Sequence, residues 1–441
     1  MKILRKSSAL QSHLSAITSK LRPSTTLIIS SAPAPPKEDN AGPRKTDQEL
    51  QLFHTGIENQ IGQCQFATSM QFNLKTISYG NKTLSGAYPT KNNIDAALEL
   101  MRRTGATNVI GVGTGPVMDL AKACYYKNRE EFDSLGHDQA QLILNPGTLG
   151  ATLAAASKEC LMLCPEEEAL LPYYSTDTAI DATTIVLDDK VISVPSWCVS
   201  DNVTQLRSQR GNNATITDSA LASIVIAIDA AHALGDVLSD EKEVEQRYRI
   251  LLEECVASAL DCIKIMDGVS MNDPAELKVA IQTGKEHAIT SMLNAGQLLS
   301  FGNVASLPRR NVSLAMTSAL LPTYFPFGNW LSFTASLLPG LCRAIEESDE
   351  ADDNELLRGI AAKITASDES YDSLSRMVEW ADRISSPNES SIVVPSLSSL
   401  AEGAPDPNEL VMKVEDNGAF LNCADADSTY IESLLFSSLN R

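Results

Sequence analysis

Apolar and polar positions along this chain follow two regimes. Up to about residue 200, short β-branched runs alternate with helical segments; beyond about residue 215 the periodicity is helical almost throughout. Strands are predicted over residues 25–30, 74–79, 109–112 and 141–145. Helices are predicted over 48–62 and 90–104, the second with Ile94, Ala97, Leu98 and Met101 in phase. Strands alternating with helices predict a parallel sheet covered on both faces, with ligands at the carboxyl ends of its strands. In the second half the clearest helices are 220–236, 244–266, 274–299, 312–321 and 331–345. A Pro-rich linker is read over 32–43 and a solvated acidic loop over 346–355. The division falls at 1–205 for the α/β part and 206–441 for the all-helical part.

The most telling segment is VIGVGTGPVMDLAKACYY, residues 109–126. An apolar run, Val109 to Val112, meets the turn Gly113-Thr114-Gly115-Pro116, and a helix follows with Val117, Leu120, Ala121 and Cys124 on one side. Strand, glycine turn and helix let a backbone approach a phosphate: no Cβ blocks it, and the new helix offers unpaired N–H groups and the positive end of its dipole. The third glycine of a dinucleotide fingerprint and the Lys-Ser/Thr of a P-loop are both absent. A tight turn without a ligand is the alternative. The next strand ends in Pro146-Gly147-Thr148-Leu149-Gly150, so both glycine turns fall at strand ends.

GTGPVMDLAK resembles the GGGSxxDxAK signature of the iron-containing (group III) alcohol dehydrogenases, a family that itself resembles dehydroquinate synthase and glycerol dehydrogenase. Gly113, Gly115, Asp119, Ala121 and Lys122 match; Thr114 and Pro116 replace a glycine and a serine, and Pro116 brings no N–H. PGTLGATLAAAS is similar to the family's PTTAGTGSE through Pro146, Thr148 and Gly150, but Ala151, Leu153 and Ala154 replace its hydroxyls and glutamate. TTIVLDDKVISV, with Asp188, resembles the strand and turn that follow, while the basic residue the family carries before it is missing from 159–181. VPSLSSLAEGAPDPNELVMKV resembles late helices of the family, so the resemblance spans nearly the whole chain. It implies a Rossmann-like α/β nucleotide-binding domain followed by an all-α domain, a dehydroquinate synthase-like fold. It also implies a nicotinamide cofactor, NAD or NADP, held by Gly113, Thr114, Gly115, Pro116, Asp119, Thr148 and Gly150. Ser30-Ser31 offers no acid to a ribose 2′-hydroxyl, which permits NADP.

In that family one Asp and three His bind a divalent metal that polarises the alcohol oxygen. Here AIDAAHALGDVLS puts His232 at the first histidine position and Ile228 at the aspartate position, with Asp229 one residue away. Ser313 and Thr317 stand at the next two positions, in VSLAMTSAL, and Phe327 at the histidine of PHG. The chain has five histidines; His13, His54 and His137 lie in the predicted nucleotide domain and His287 elsewhere on a helix. No tightly bound metal is expected. Three readings follow. The first is a metal-independent oxidoreductase, as in maleylacetate reductases, with His232 donating the proton and Ser313, Thr317 and Tyr324 orienting a carbonyl. The alternative for His232 is a helix histidine satisfied by Asp229 or Asp236. The second is a non-catalytic relative that binds nucleotide or a partner protein. The third is a metal enzyme with its ligands elsewhere. Met316, Tyr324, Phe325, Phe327 and Trp330 give the site an apolar lining, which fits a bulky or apolar carbonyl; the resemblance implies a small alcohol, aldehyde or ketone as the substrate class. Relatives are commonly dimers, so a homodimer is expected.

Composition narrows the partners. A net charge of −21 argues against nucleic acid. The richest apolar run, 220–234, is broken by Asp229 and His232, so no membrane span is predicted. Nine cysteines without paired spacing predict free thiols in a reducing, intracellular compartment. The first 37 residues hold six basic residues and no acid. They fit a mitochondrial transit peptide, or an amphipathic helix over 9–21 leading into the first strand. Cytoplasm and mitochondrial matrix both remain open.

Overall fold

A computed structural model describes residues 2–5, 25–31, 67–72, 77–79, 82–84, 88–132, 140–173, 183–187, 214–234, 242–267, 274–301, 312–325, 329–348, 354–366, 372–386, 392, 394–401, 403–417 and 428–439. The predicted 9–21 and 48–62 helices, the Pro-rich linker, Asp188, Phe327, His13, His54 and His137 lie outside the described residues. The chain divides into two compact units, Met1–Glu166 with Pro172–Cys198, and Glu167–Leu171 with Val199–Arg441.

The first unit holds β1 (Lys2–Arg5), β2 (Thr25–Ser31), β3 (Ala67–Phe72), β4 (Ile77–Tyr79) and β5 (Lys82–Leu84). Then come α1 (Lys91–Thr104), β6 (Ala106–Gly113), α2 (Gly115–Phe132), β7 (Leu142–Pro146) and α3 (Leu149–Ala156). Two short strands, β8 (Cys160–Cys164) and β9 (Ala169–Tyr173, whose first three residues are counted with the second unit), precede β10 (Thr183–Leu187). Six strands form one parallel sheet in the order β1-β10-β7-β6-β2-β3. Leu27, Ile28, Ile29, Val109, Ile110, Leu142, Ile143 and Leu144 are buried, as strands covered on both faces must be. From β2 the order runs one way to β3 and the other way through β6, β7 and β10. The reversal therefore lies beside β6, where a doubly wound sheet opens at its carboxyl edge.

Helix α1 shows how local sequence sets an element. Thr90 N–H donates to Asn93 Oδ1 at 2.8 Å, Ile94, Ala97, Leu98 and Met101 form the buried stripe, and Gly105 ends the helix at φ 68°. One strand differs from expectation. Residues 67–72 supply the sheet strand, whereas Ile77–Tyr79 pairs antiparallel with Lys82–Leu84. The described part of the 74–79 pattern, Ile77–Tyr79, therefore belongs to a separate two-stranded sheet. Lys2–Arg5 adds an edge strand parallel to β10 that the sequence pattern did not mark.

The second unit is helical: α4 (Ala214–Leu234), α5 (Lys242–Asp267), α6 (Pro274–Phe301), α7 (Val312–Tyr324), α8 (Trp330–Ser336) and α9 (Leu338–Glu346). It continues with α10 (Glu355–Thr365), α11 (Ser373–Ser385), a 3₁₀ turn (Leu397–Leu400), α12 (Pro407–Asp416) and α13 (Ser428–Leu439). The α4, α5 and α6 helices pack mutually. Within α4, Ile216–Ala233 is long and apolar enough to cross a membrane by length and composition, and 89% of it is buried inside the protein, as in a core helix. The predicted 331–345 helix is two helices divided at Leu337, because Pro339 cannot donate to the preceding turn. The acidic loop ends in a structural residue: Asn354 is buried, caps α10 by accepting from Leu357 N–H at 2.9 Å, and donates to the Ala231 and His232 carbonyls at the end of α4.

Candidate functional site

Two glycine turns leave the carboxyl edge of the sheet side by side. Gly113 of β6 and Pro146 of β7 are in register, and Gly147 N–H donates to Gly113 O at 2.6 Å. Gly113 holds φ +133°, open only to glycine, and a Cβ at Gly147 would lie 3.3 Å from Gly113 Cα. Each turn opens a helix. Thr114 O accepts from Val117 and Met118 N–H, so α2 starts directly after Thr114, with Gly115 and Pro116 in its first turn. There the missing N–H of Pro116 costs the helix nothing. Thr148 caps α3, its Oγ1 accepting from Ala151 N–H at 3.1 Å. The start of α2 lies on α3: a Cβ at Gly115 would meet Ala154 Cβ at 3.6 Å and Gly150 O at 3.7 Å. Gly111 gives the close helix–strand packing that the third glycine supplies in a dinucleotide fingerprint. A Cβ there would stand 2.8 Å from Ala121 Cβ. Two helix N-termini thus converge, each presenting backbone donors to an anion.

Asp119 and Lys122 lie beneath these turns. Both are buried, at 4% and 1% exposure, and they pair at 3.1 Å. Lys122 Nζ also donates to Ala154 O at 2.6 Å, Ser157 O at 3.0 Å and Glu159 O. Burial pushes the Asp119 carboxyl up to about 6, against the opposing pull of Lys122 and of a backbone N–H at Leu161. So Asp119 is engaged by Lys122, and Lys122, matched in the motif but given no role by the sequence, holds the tail of α3. Its carbonyl partners lie 32 to 37 positions along the chain, so no local signal marks them.

The helical unit places the other predicted residues. Asp229 is fully buried on α4, and its Oδ2 accepts from Ser313 N–H at 2.6 Å at the start of α7. Burial pushes its carboxyl up to about 6, opposed by hydrogen bonds from the backbone and hydroxyl of Ser313 and from Val312 N–H. Thr317 is buried and donates to Ser313 O at 2.6 Å; its hydroxyl also lies 3.3 Å from that of Thr334. Tyr324 ends α7, with its hydroxyl donating to Glu409 at 2.7 Å. Burial, then the Glu409 hydrogen bond and charge, push the Tyr324 hydroxyl up. His232 is half-buried and stacks on Tyr430, with ring centroids 5.7 Å apart and an interplanar angle of 12°. Burial and then the Asp229 charge push the Tyr430 and Tyr248 hydroxyls well up. The structure thus joins Asp229 to Ser313 and Ser313 to Thr317, while His232 meets Tyr430, a partner far along the chain that spacing could not reveal. Met316 and Phe325 are core residues, Phe325 edge-on to Phe333.

Among the described residues no cluster of three His, Cys, Asp or Glu occurs that could hold a metal ion; Asp229 is engaged by the amide end of α7, and Thr317 donates its hydroxyl to Ser313 O. The cysteines offer no alternative: none of the six described is in a disulfide, and burial pushes the Cys160 thiol up to about 12.

Comparison with solved structures places this arrangement. The maleylacetate reductase of Agrobacterium tumefaciens aligns over 100% of this chain and 96% of its own, at 15% identity and a TM-score of 0.61. The iron-containing alcohol dehydrogenase of Thermococcus thioreducens aligns over 100% and 98%, at 15% identity and a TM-score of 0.60. The chain has the iron-containing alcohol dehydrogenase fold. The sulfoacetaldehyde reductase of Bifidobacterium kashiwanohense, crystallised with NAD+, shares it at 12% identity, with a TM-score of 0.60 over 99% of this chain and 96% of that one. No protein-family profile and no curated protein sequence matches the chain. At such identities the likeness is one of fold, and the chemistry rests on the residues.

Proposed function

We propose that this protein is a nicotinamide nucleotide-dependent oxidoreductase that interconverts a small alcohol and its carbonyl without a catalytic transition metal. The observation that carries this reading is the pair of glycine turns joined by Gly147 N–H and Gly113 O, which brings two helix N-termini together at the carboxyl edge of the sheet. The NAD+ complex of the similarly folded sulfoacetaldehyde reductase supports it. A nicotinamide nucleotide, NAD or NADP, supplies hydride exchange. The backbone of Gly113, Thr114, Gly115 and Gly150 and the turn at Thr148 hold its diphosphate, with Pro116 fixing the first helical turn. Asp119 acts from beneath, through Lys122. In the helical unit His232, half-buried, is the group that passes a proton to or from the substrate oxygen, and Tyr324 orients that oxygen. Ser313 and Thr317 contribute by keeping α7 in register. Without a metal, these side chains carry the charge that develops on oxygen.

A second reading has an observation of its own. In α3 the positions that would donate hydroxyls are Ala151, Leu153 and Ala154, a weakened second turn that fits a non-catalytic nucleotide-binding or interaction module. Titrating chelator-treated protein with NADH and NADPH, followed by turnover assays on aldehydes and ketones, separates the two. The oxidoreductase shows saturable binding and a turnover that falls about a hundredfold in His232→Ala. A nucleotide-binding module shows binding with no turnover at all, and absence of binding overturns the oxidoreductase and leaves the interaction module.

A further inference from the structure

We infer that Lys122 is a positioning residue that makes the two glycine turns into one rigid cradle; the inference rests on the nucleotide reading above for its consequence, though not for its geometry. Helix α3 has eight residues and so spans only about 12 Å. Its head carries the Thr148 turn and its tail carries the Ala154 carbonyl, one of the end carbonyls that a helix cannot satisfy by itself. Lys122 Nζ takes up that carbonyl at 2.6 Å and then the Ser157 and Glu159 carbonyls of the segment leading into β8. A cation at this end also matches the negative pole of the helix. Lys122 projects from the second turn of α2, which leads directly out of the Gly113-Thr114 turn, and Asp119 balances its charge at 3.1 Å. Thus one ammonium group ties the body of one phosphate-facing helix to the tail of the other. The heads meet through Gly147 and Gly113, and the tail meets α2 through Lys122. A helix held at both ends cannot tilt, so the backbone donors of both turns keep a fixed spacing. Of the DxAK letters, Asp and Lys therefore set the geometry of the site from inside the protein.

The test compares three full-length variants. Lys122→Met removes the tie but leaves Asp119 buried without its cation, which can cost the fold. The double variant Asp119→Asn with Lys122→Met removes both charges and keeps the volume, so it is the decisive one. Met101→Ala, a lesion in the buried stripe of α1, serves as a destabilised control outside both glycine turns and outside 149–157. Two readouts are taken: amide hydrogen exchange across residues 149–157 without nucleotide, and the NADH and NADPH dissociation constants. The double variant is expected to exchange faster across 149–157 and to bind nucleotide about tenfold more weakly, the loss of one charge-assisted hydrogen bond. Met101→Ala is expected to leave both unchanged. Unchanged exchange in the double variant overturns the inference. If the unmodified protein binds neither nucleotide while exchange rises in the double variant, the functional reading fails and the tie stands.

Discussion

The two units each bury an aspartate, and they neutralise it differently. Asp119 sits against a lysine that also binds three carbonyls, whereas Asp229 faces the amide end of a helix. In the α/β unit the charged pair connects two helices that begin at glycine turns. In the helical unit the carboxylate bonds directly to the start of α7. The lesson is that one unit spends its buried carboxylate on fixing two glycine-turn helices through a lysine, while the other spends it on an internal helix-to-helix hydrogen bond.

The largest expected effect is on the α/β side. Lys122→Met leaves a buried carboxylate without its partner and is expected to cost about 3–5 kcal/mol of stability near neutral pH, measured by denaturant unfolding. A loss below about 1 kcal/mol would mean that the pair is not desolvated as described. Next, Asp229→Ala strips the acceptor from Ser313 N–H and Val312 N–H and is expected to cost about 2 kcal/mol. Asp229→Asn keeps an acceptor without the charge and should stand at or above the unmodified protein at neutral pH. If both variants lose equally, the charge itself holds α7 and the contrast between the units disappears.

The pH response sharpens the same comparison. Asp229 has its folded pKa raised from 3.8 to about 6, so the folded state binds the proton more tightly than the unfolded state. That contribution is complete below the unfolded value and is lost as pH rises through about 6. Between pH 7.5 and 5 the unmodified protein should therefore gain about 1.4 kcal/mol relative to Asp229→Asn, the value of one pKa unit. Parallel stability curves would contradict the burial of this carboxylate. The smallest effect is expected at Thr148→Ala, about 1 kcal/mol from a lost N-cap, with weaker nucleotide binding as its companion.

Much of this architecture was legible in the sequence. The parallel sheet announced itself through β-branched runs ending in glycine turns, and the helices through their spacing. What escaped was nonlocal. Lys2–Arg5 is too short and too basic to read as a strand, yet it pairs with β10. Asp229 was visible as a residue beside a vacated ligand position, but its bond to Ser313 spans 84 positions and appears only when α4 and α7 pack. Lys122 was visible as a motif letter, and its carbonyl partners have no side-chain signature at all. The stacking of His232 on Tyr430 belongs to the same class, because no periodicity links two helices so far apart in sequence.

The central claim is that the cradle binds a nicotinamide nucleotide with no metal present. A fluorescence titration of chelator-treated protein with NADH and with NADPH tests it most directly. The account predicts saturation in the micromolar range for one of the two, unchanged when zinc or ferrous iron is added back. Absence of binding up to millimolar nucleotide, or binding that appears only with the metal, would contradict it.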